Sequence, residues 1–312
     1  MRTCLISDLK INSISLTQIK HVIDSCEFIF ELKDKRYPNF NLDLSCIKDF
    51  TLTGGLIIYK IIEFTSLNHC FVNPKVHLSD EIRGHLIQHG FFNLINSFLV
   101  NKNSLNKGFQ NLKPIFNQNF FIAPHALLRE KNHKEDLNKI YLPKIQEYYQ
   151  AYPDKIKMIF QAFSEITLNF WEHALEDSNS IIVAKGDQHN IEITCADTGN
   201  GIISTLQSVP KFKKVRSPEL LKLSTEKKVT SKSATFHMGY GLWILNEIAT
   251  RTKGTLRIFS ESAYYNNNKG KIRYGECGYW KGTIISITFP LSKIVYLTDL
   301  IKPNNNIKIN YQ

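Results

Sequence analysis

The sequence predicts an α/β protein, grading into α+β, made of two domains. Three observations carry that expectation. Strand-like and helical runs alternate through the first hundred residues. A helical stripe over 155–176 leads into alternating apolar strands, with two more strand-like runs near the end of the chain. At 312 residues, 43% hydrophobic and 21% charged, there is material for two cores of ordinary composition.

The first domain spans residues 1–100. Asn41–Ser45 is a strand ending at a turn, and Thr51-Leu52-Thr53-Gly54-Gly55 opens a helix over Leu56–Phe64. A second strand (Phe71, Val72, then Val76) feeds a helix over Asp80–His89 that Gly90 closes, and a last helix runs from Phe91 to Phe98. Asp43-Leu44-Ser45, a short loop and Thr53-Gly54-Gly55 before an apolar helix together resemble the STAS domain, the anti-sigma-antagonist fold. That resemblance places the family's phosphorylatable hydroxyl on Thr53. The family's Asp-Ser before that position is replaced here by Phe50-Thr51-Leu52, and a helix-capping Thr is the alternative.

Residues 101–150 are rich in Asn and Lys, contain Pro114, Pro124 and Pro143, and form a connector with a helix over Lys134–Tyr149. The second domain covers 151–295. Its first helix carries apolar residues at Ile156, Ile159, Phe163, Ile166 and Phe170. Glu165, Asn169 and His173 interrupt that stripe at i, i+4 and i+8, so they lie in line on one face. Polar groups aligned beside a buried face need partners or a ligand.

Strands over Ser180–Ala184 and Asn190–Ala196 follow, joined by the turn 186–189. The second delivers Asp197, with Gly199 and Gly201 directly after it, where backbone can press against a flat ligand. A carboxylate there can accept a hydrogen bond from an exocyclic amine. Gly239-Tyr240-Gly241-Leu242 then opens a helix over Leu242–Arg251, and a helix start of that kind favours an anion. Two strands, Thr255–Ser260 and Thr283–Phe289, flank the polar insertion Ser262–Gly278, read as a loop or a long hairpin tip. Residues 296–312 are read as a tail, with the stretch PNNNIKINYQ at 303–312 expected to fray.

These motifs, in this order over about 155–290, resemble the GHKL superfamily of Bergerat-fold ATPases and kinases. The resemblance implies a two-layer α/β sandwich with a mixed sheet, and ATP with Mg²⁺ as cofactors. Glu165–Ala174 is similar to the family's N-box, in which Asn169 holds magnesium and Glu165 is the catalytic base or an electrostatic group. Asp197 reads the adenine amine, with Gly199 and Gly201 beside it. Gly239, Tyr240, Gly241 and Leu242 contact the phosphates. Between the last two motifs, Thr230 and Lys232 are candidates to touch the γ-phosphate, with a solvated lysine as the alternative. His173 either extends the phosphate contacts or makes a structural hydrogen bond. Tyr240 and Trp243 replace residues that are small in many kinases of this type. Tyr141–Pro153 holds no histidine, which argues against an autophosphorylating histidine kinase.

Composition narrows the function classes. No apolar run is long enough for a membrane span and the first residues lack a secretion signal, so a cytoplasmic protein without membrane contact is expected. The six cysteines are scattered, with no CxxC, and read as buried thiols. Net charge is +11, yet residues 1–100 balance ten bases with ten acids, so the excess lies in 101–312. Residues 211–232 hold eight bases against two acids, which fits a polyanionic ligand nearby or nucleic acid. The leading expectation is an ATP-dependent switch with slow ATPase activity in bacterial-type signalling or stress response. Its N-terminal domain would engage a protein partner, and homodimers occur among such relatives. A serine/threonine protein kinase of the anti-sigma type and a basic nucleic-acid-binding module are the alternatives.

Overall fold

The computed structural model describes residues 8–10, 18–31, 37–45, 47, 49–68, 71–91, 94–95, 119–127, 133–173, 180–231 and 239–301. The N-terminal unit contains β1 (Asp8–Lys10), α1 (Ile19–Cys26), α2 (Phe28–Glu31), β2 (Tyr37–Leu44), α3 (Leu52–Asn68), β3 (Phe71–Leu78) and α4 (Asp80–Gln88). Its three strands pair in parallel in the order β1-β2-β3, as helical crossovers between successive strands require.

Local chemistry sets the helix ends. Thr51 Oγ1 accepts from the Gly54 N–H at 2.9 Å and starts α3. Ser79 Oγ accepts from Ile82 N–H at 3.3 Å to start α4, and Gly90, at φ +75°, lies just beyond its end. Thr53, by contrast, is buried one residue inside α3 and donates to Ser286 Oγ at 2.9 Å. The capping residue is therefore Thr51, and Thr53 offers no accessible hydroxyl for phosphorylation in this arrangement.

The second unit contains β4 (Phe120–Leu127), α5 (His133–Asp136), a π-helical turn (Leu137–Tyr141), α6 (Leu142–Tyr149) and α7 (Pro153–His173). After these come β5 (Ser180–Gly186), β6 (Asn190–Ala196), α8 (Ile202–Gln207), a 3₁₀ turn at Pro210–Phe212 and α9 (Ser217–Leu223). The last elements are α10 (Gly241–Thr252), β7 (Thr255–Asn268), β8 (Lys271–Pro290) and α11 (Leu297–Ile301). The sheet order is β4-β5-β6-β8-β7, and every described pairing is antiparallel. The mixed sheet that the resemblance implied is corrected on this point. Tight turns join β5 to β6 and β7 to β8, and a tight turn reverses the chain.

One further boundary differs from the sequence reading, and one of its open alternatives, the long hairpin, is decided. Part of the 101–150 connector is an edge strand, because Phe120–Leu127 pairs with β5 and buries Phe120, Ile122 and Leu127 in the core. The insertion 262–278 is a continuation of the β7–β8 hairpin. Lys269 (φ +56°) and Gly270 (φ +88°) form its two-residue turn, the conformation that matches strand twist. Asn246 of α10 anchors the far end, its Oδ1 accepting from Tyr265 Oη at 2.9 Å and from Asn267 Nδ2 at 2.6 Å.

The five-stranded sheet is buried on both faces. Ile182, Ala184, Ile191, Ile193, Cys195, Ile285 and Ile287 face α7 and α10. Alternate residues on those strands, Ile181, Val183, Ala196 and Ile284, pack with Leu56, Ile57 and Trp280 in a core shared with the N-terminal unit. The sequence carries this in the apolar run Ile181–Ala184, which is continuous where a half-exposed strand would alternate. α3 is correspondingly buried from Leu52 to Thr65, down to an internal Lys60–Glu63 ion pair.

The joint between the units includes His89, buried against Phe50 and Phe121 with its Nδ1 against the His85 carbonyl at 2.8 Å. Burial, with Lys185 and His85 nearby, holds its pKa down from 6.5 to about 4. The unfolded chain therefore binds a proton that the folded chain refuses, so stability falls as pH drops from 6.5 toward about 4. Thermal melts across that window should show a falling Tm, with a shallower slope in His89→Gln. Equal slopes would remove His89 from the acid response.

Candidate nucleotide site

α7 supplies the first wall. Pro153 begins the helix, where its missing N–H is no loss, and Ile159, Phe163, Ile166 and Phe170 bury its apolar stripe. Glu165 and Asn169 stay half-buried on the flank. Gln161 Nε2 donates to Glu165 Oε1 at 2.5 Å, and Asn169 Nδ2 donates to the Glu165 carbonyl at 2.7 Å. With its amide nitrogen so engaged, Asn169 keeps its oxygen as the group to offer a cation.

The opposite wall is the start of α10. A Cβ on Gly241 would stand 2.9 Å from Glu165 Oε2 and 3.1 Å from Asn169 Nδ2. The fold thus brings the glycine motif against the carboxylate and carboxamide, across the 71 residues of chain between positions 169 and 241. Gly239, at φ +64°, packs on the Val229 backbone, and its carbonyl accepts from Lys228 N–H at 3.0 Å. That contact closes the two ends of segment 229–239 together. Half-buried Tyr240 lies 5.6 Å from the Trp243 ring, Lys227 Nζ sits 4.3 Å above that indole, and Leu242 enters the core.

Asp197 stands at the end of β6, with only 2% of its surface exposed. Its Oδ1 accepts from Gly199 N–H at 2.7 Å and its own N–H donates to the Thr283 carbonyl at 3.0 Å. Trp280 Nε1 donates to its carbonyl at 3.0 Å. Gly282, at φ +95°, abuts the carboxylate so closely that a side chain there would overlap Oδ1. Gly201 then leads into α8, whose Ile202 and Ser204 N–H groups donate to Ser260 Oγ and Glu261 Oε2, both at 2.8 Å. Burial holds the Glu261 carboxyl above its usual range, opposed by the backbone N–H groups of Ser204 and Ile203.

The fold therefore assembles Glu165, Asn169 and Gly241 directly and fixes Asp197, Gly199 and Gly201 in one loop. Thr230 is half-buried beside Val229 in the chain. Lys232 lies outside the described residues, as does the side chain of His173. Lys211, Lys213 and Lys214 of the basic cluster are exposed, while Arg216 pairs with Glu219 and Lys222 lies near Glu226 at 3.8 Å. Sequence reading missed Gln161, Trp280, Gly282 and Thr283. Gly282, directly before the strand read at Thr283–Phe289, was the available signal, since a glycine at a strand marks close backbone approach.

Among the described residues no helix is long and apolar enough to cross a membrane. No curated protein matches the chain. Residues 154–293 match the family model of histidine kinase-, DNA gyrase B- and HSP90-like ATPases. That span begins at the helix bearing Glu165 and Asn169 and ends after β8, so this stretch of the chain is a GHKL-family ATPase domain.

Proposed function

We propose that the protein binds Mg-ATP at this site and acts as an ATP-dependent switch with slow hydrolysis. The apposition of Gly241 to Glu165 and Asn169 supports this most directly. Only a position without a side chain leaves the start of α10 open to phosphate beside those two groups. Asp197 would accept from the adenine amine, Gly239 to Leu242 would hold the phosphates, and Thr230 and Lys232 would reach the γ-phosphate.

The donor set fits magnesium. The Asn169 oxygen and the Glu165 carboxylate are hard oxygen donors, and Mg²⁺ commonly takes one or two protein oxygens and completes its shell with phosphate and water. No cluster of three His, Cys, Asp or Glu side chains converges among the described residues, so most of the shell would come from nucleotide and water. Bound there, the ion would neutralise phosphate charge. Glu165, held by Gln161, would orient or deprotonate a water.

The N-terminal unit, through its STAS-like strand–turn–helix order, is the proposed partner-binding and regulatory element, and a homodimer is compatible with it. Buried Thr53 is poorly placed to receive phosphate from a kinase reaction within the chain.

Calorimetric titration with ATP, ADP and a non-hydrolysable analogue, each with and without Mg²⁺, tests the reading. Binding should need Mg²⁺ and differ between ATP and ADP. Gly241→Ala should fold, since the residue starts a helix, yet bind about tenfold more weakly because its methyl presses on Glu165 and Asn169. Absence of binding by the wild-type chain would end the proposal.

A further inference from the structure

Asp197 is anchored by its backbone to residues that the N-terminal unit itself holds in place. Trp280 is wholly buried, and its indole N–H donates to the Asp197 carbonyl at 3.0 Å. Phe30 of α2 packs edge-on against the Trp280 indole, with ring centroids 5.2 Å apart, and also contacts Phe64 of α3 at 4.9 Å. Just before Trp280, α1 grips the strand. Asp24 Oδ1 accepts from Gly278 N–H at 2.6 Å, and nearby Glu27 Oε2 accepts from Tyr279 N–H at 3.2 Å. Gly278 permits that grip, since a Cβ there would come within 2.6 Å of the Asp24 Cα.

Accepting the reading of Asp197 as the base-recognising carboxylate, we infer that Trp280 is its positioning residue and that Phe30 holds Trp280 in that role. Three physical points carry the inference. The indole N–H is buried, so it must be satisfied, and the carbonyl it chose belongs to the residue whose side chain reads the base. That carbonyl is equally committed, since loss of the donor leaves a buried acceptor unpaired. Between Trp280 and Thr283, β8 grips both backbone polar groups of Asp197, which leaves little freedom for its carboxylate to drift. The N-terminal unit is thereby part of the machinery that sets base specificity, even though none of its residues is assigned to touch nucleotide.

The test uses the full chain and compares ATP with inosine triphosphate, which presents an oxygen in place of the adenine amine. Wild type should prefer ATP. Trp280→Phe keeps the ring against Phe30 but loses the N–H, and should lower ATP affinity about tenfold while leaving inosine triphosphate nearly unaffected. Phe30→Leu should erode the same preference by a smaller factor, and it carries the test if Trp280→Phe does not fold. A merely structural role would weaken both nucleotides alike. An ATP preference that persists at the wild-type ratio in a folded variant overturns the inference alone. A wild-type chain with no preference overturns the reading of Asp197 as well.

Discussion

Asp197→Asn is expected to lose adenine-nucleotide binding, with ATP affinity falling about a hundredfold or more. The size of the effect follows from the fixed surroundings of the carboxylate. Oδ1 is committed to Gly199 N–H, and Gly282 closes the space beside it. An asparagine keeps its oxygen on Gly199, which turns its NH₂ to the position of Oδ2. A donor then meets the donor amine of adenine in a buried site, and neither can recover water. The same geometry suits a base with an oxygen at that position, so the variant should accept inosine triphosphate better than ATP. Calorimetry with both nucleotides decides it, and unchanged ATP affinity would show that Asp197 does not read the base.

Glu165→Ala is expected to bind ATP with little change while turnover drops by about 10² to 10⁴. Under the proposed function Asn169 would still engage the cation, because its own hydrogen bond runs to the backbone carbonyl of position 165, which the substitution preserves. What disappears is the carboxylate that Gln161 orients from one helical turn away. Binding by calorimetry and phosphate release at saturating ATP separate the two effects. Hydrolysis at the wild-type rate would remove Glu165 from any catalytic role. Equal loss of binding and turnover would recast it as a group that holds the ligand.

Much of the ATPase unit was legible because its signals are local. The stripe from Ile156 to Phe170 has helical period, and Asn190–Ala196 shows the expected strand, whose boundaries the fold reproduces. Glu165 and Asn169 fall together because four residues make about one turn. The hairpin within 262–278 was less legible, since its tip is polar and its support comes from Asn246 on a neighbouring helix. The edge strand at Phe120–Leu127 was hidden by Pro124, at which its register with β5 shifts.

The sequence by itself determined the helix that carries Glu165 and Asn169, the β5–β6 pair and the order of the polar and glycine motifs, because period, capping and backbone freedom depend on near neighbours in the chain. Only the tertiary structure decided that Gly241 closes on Glu165 and Asn169, and that the sheet is antiparallel. It alone decided that Trp280 and Phe30 link the N-terminal unit to Asp197. Those contacts join residues dozens to hundreds of positions apart, and they form when apolar faces on both sides of one sheet are buried together.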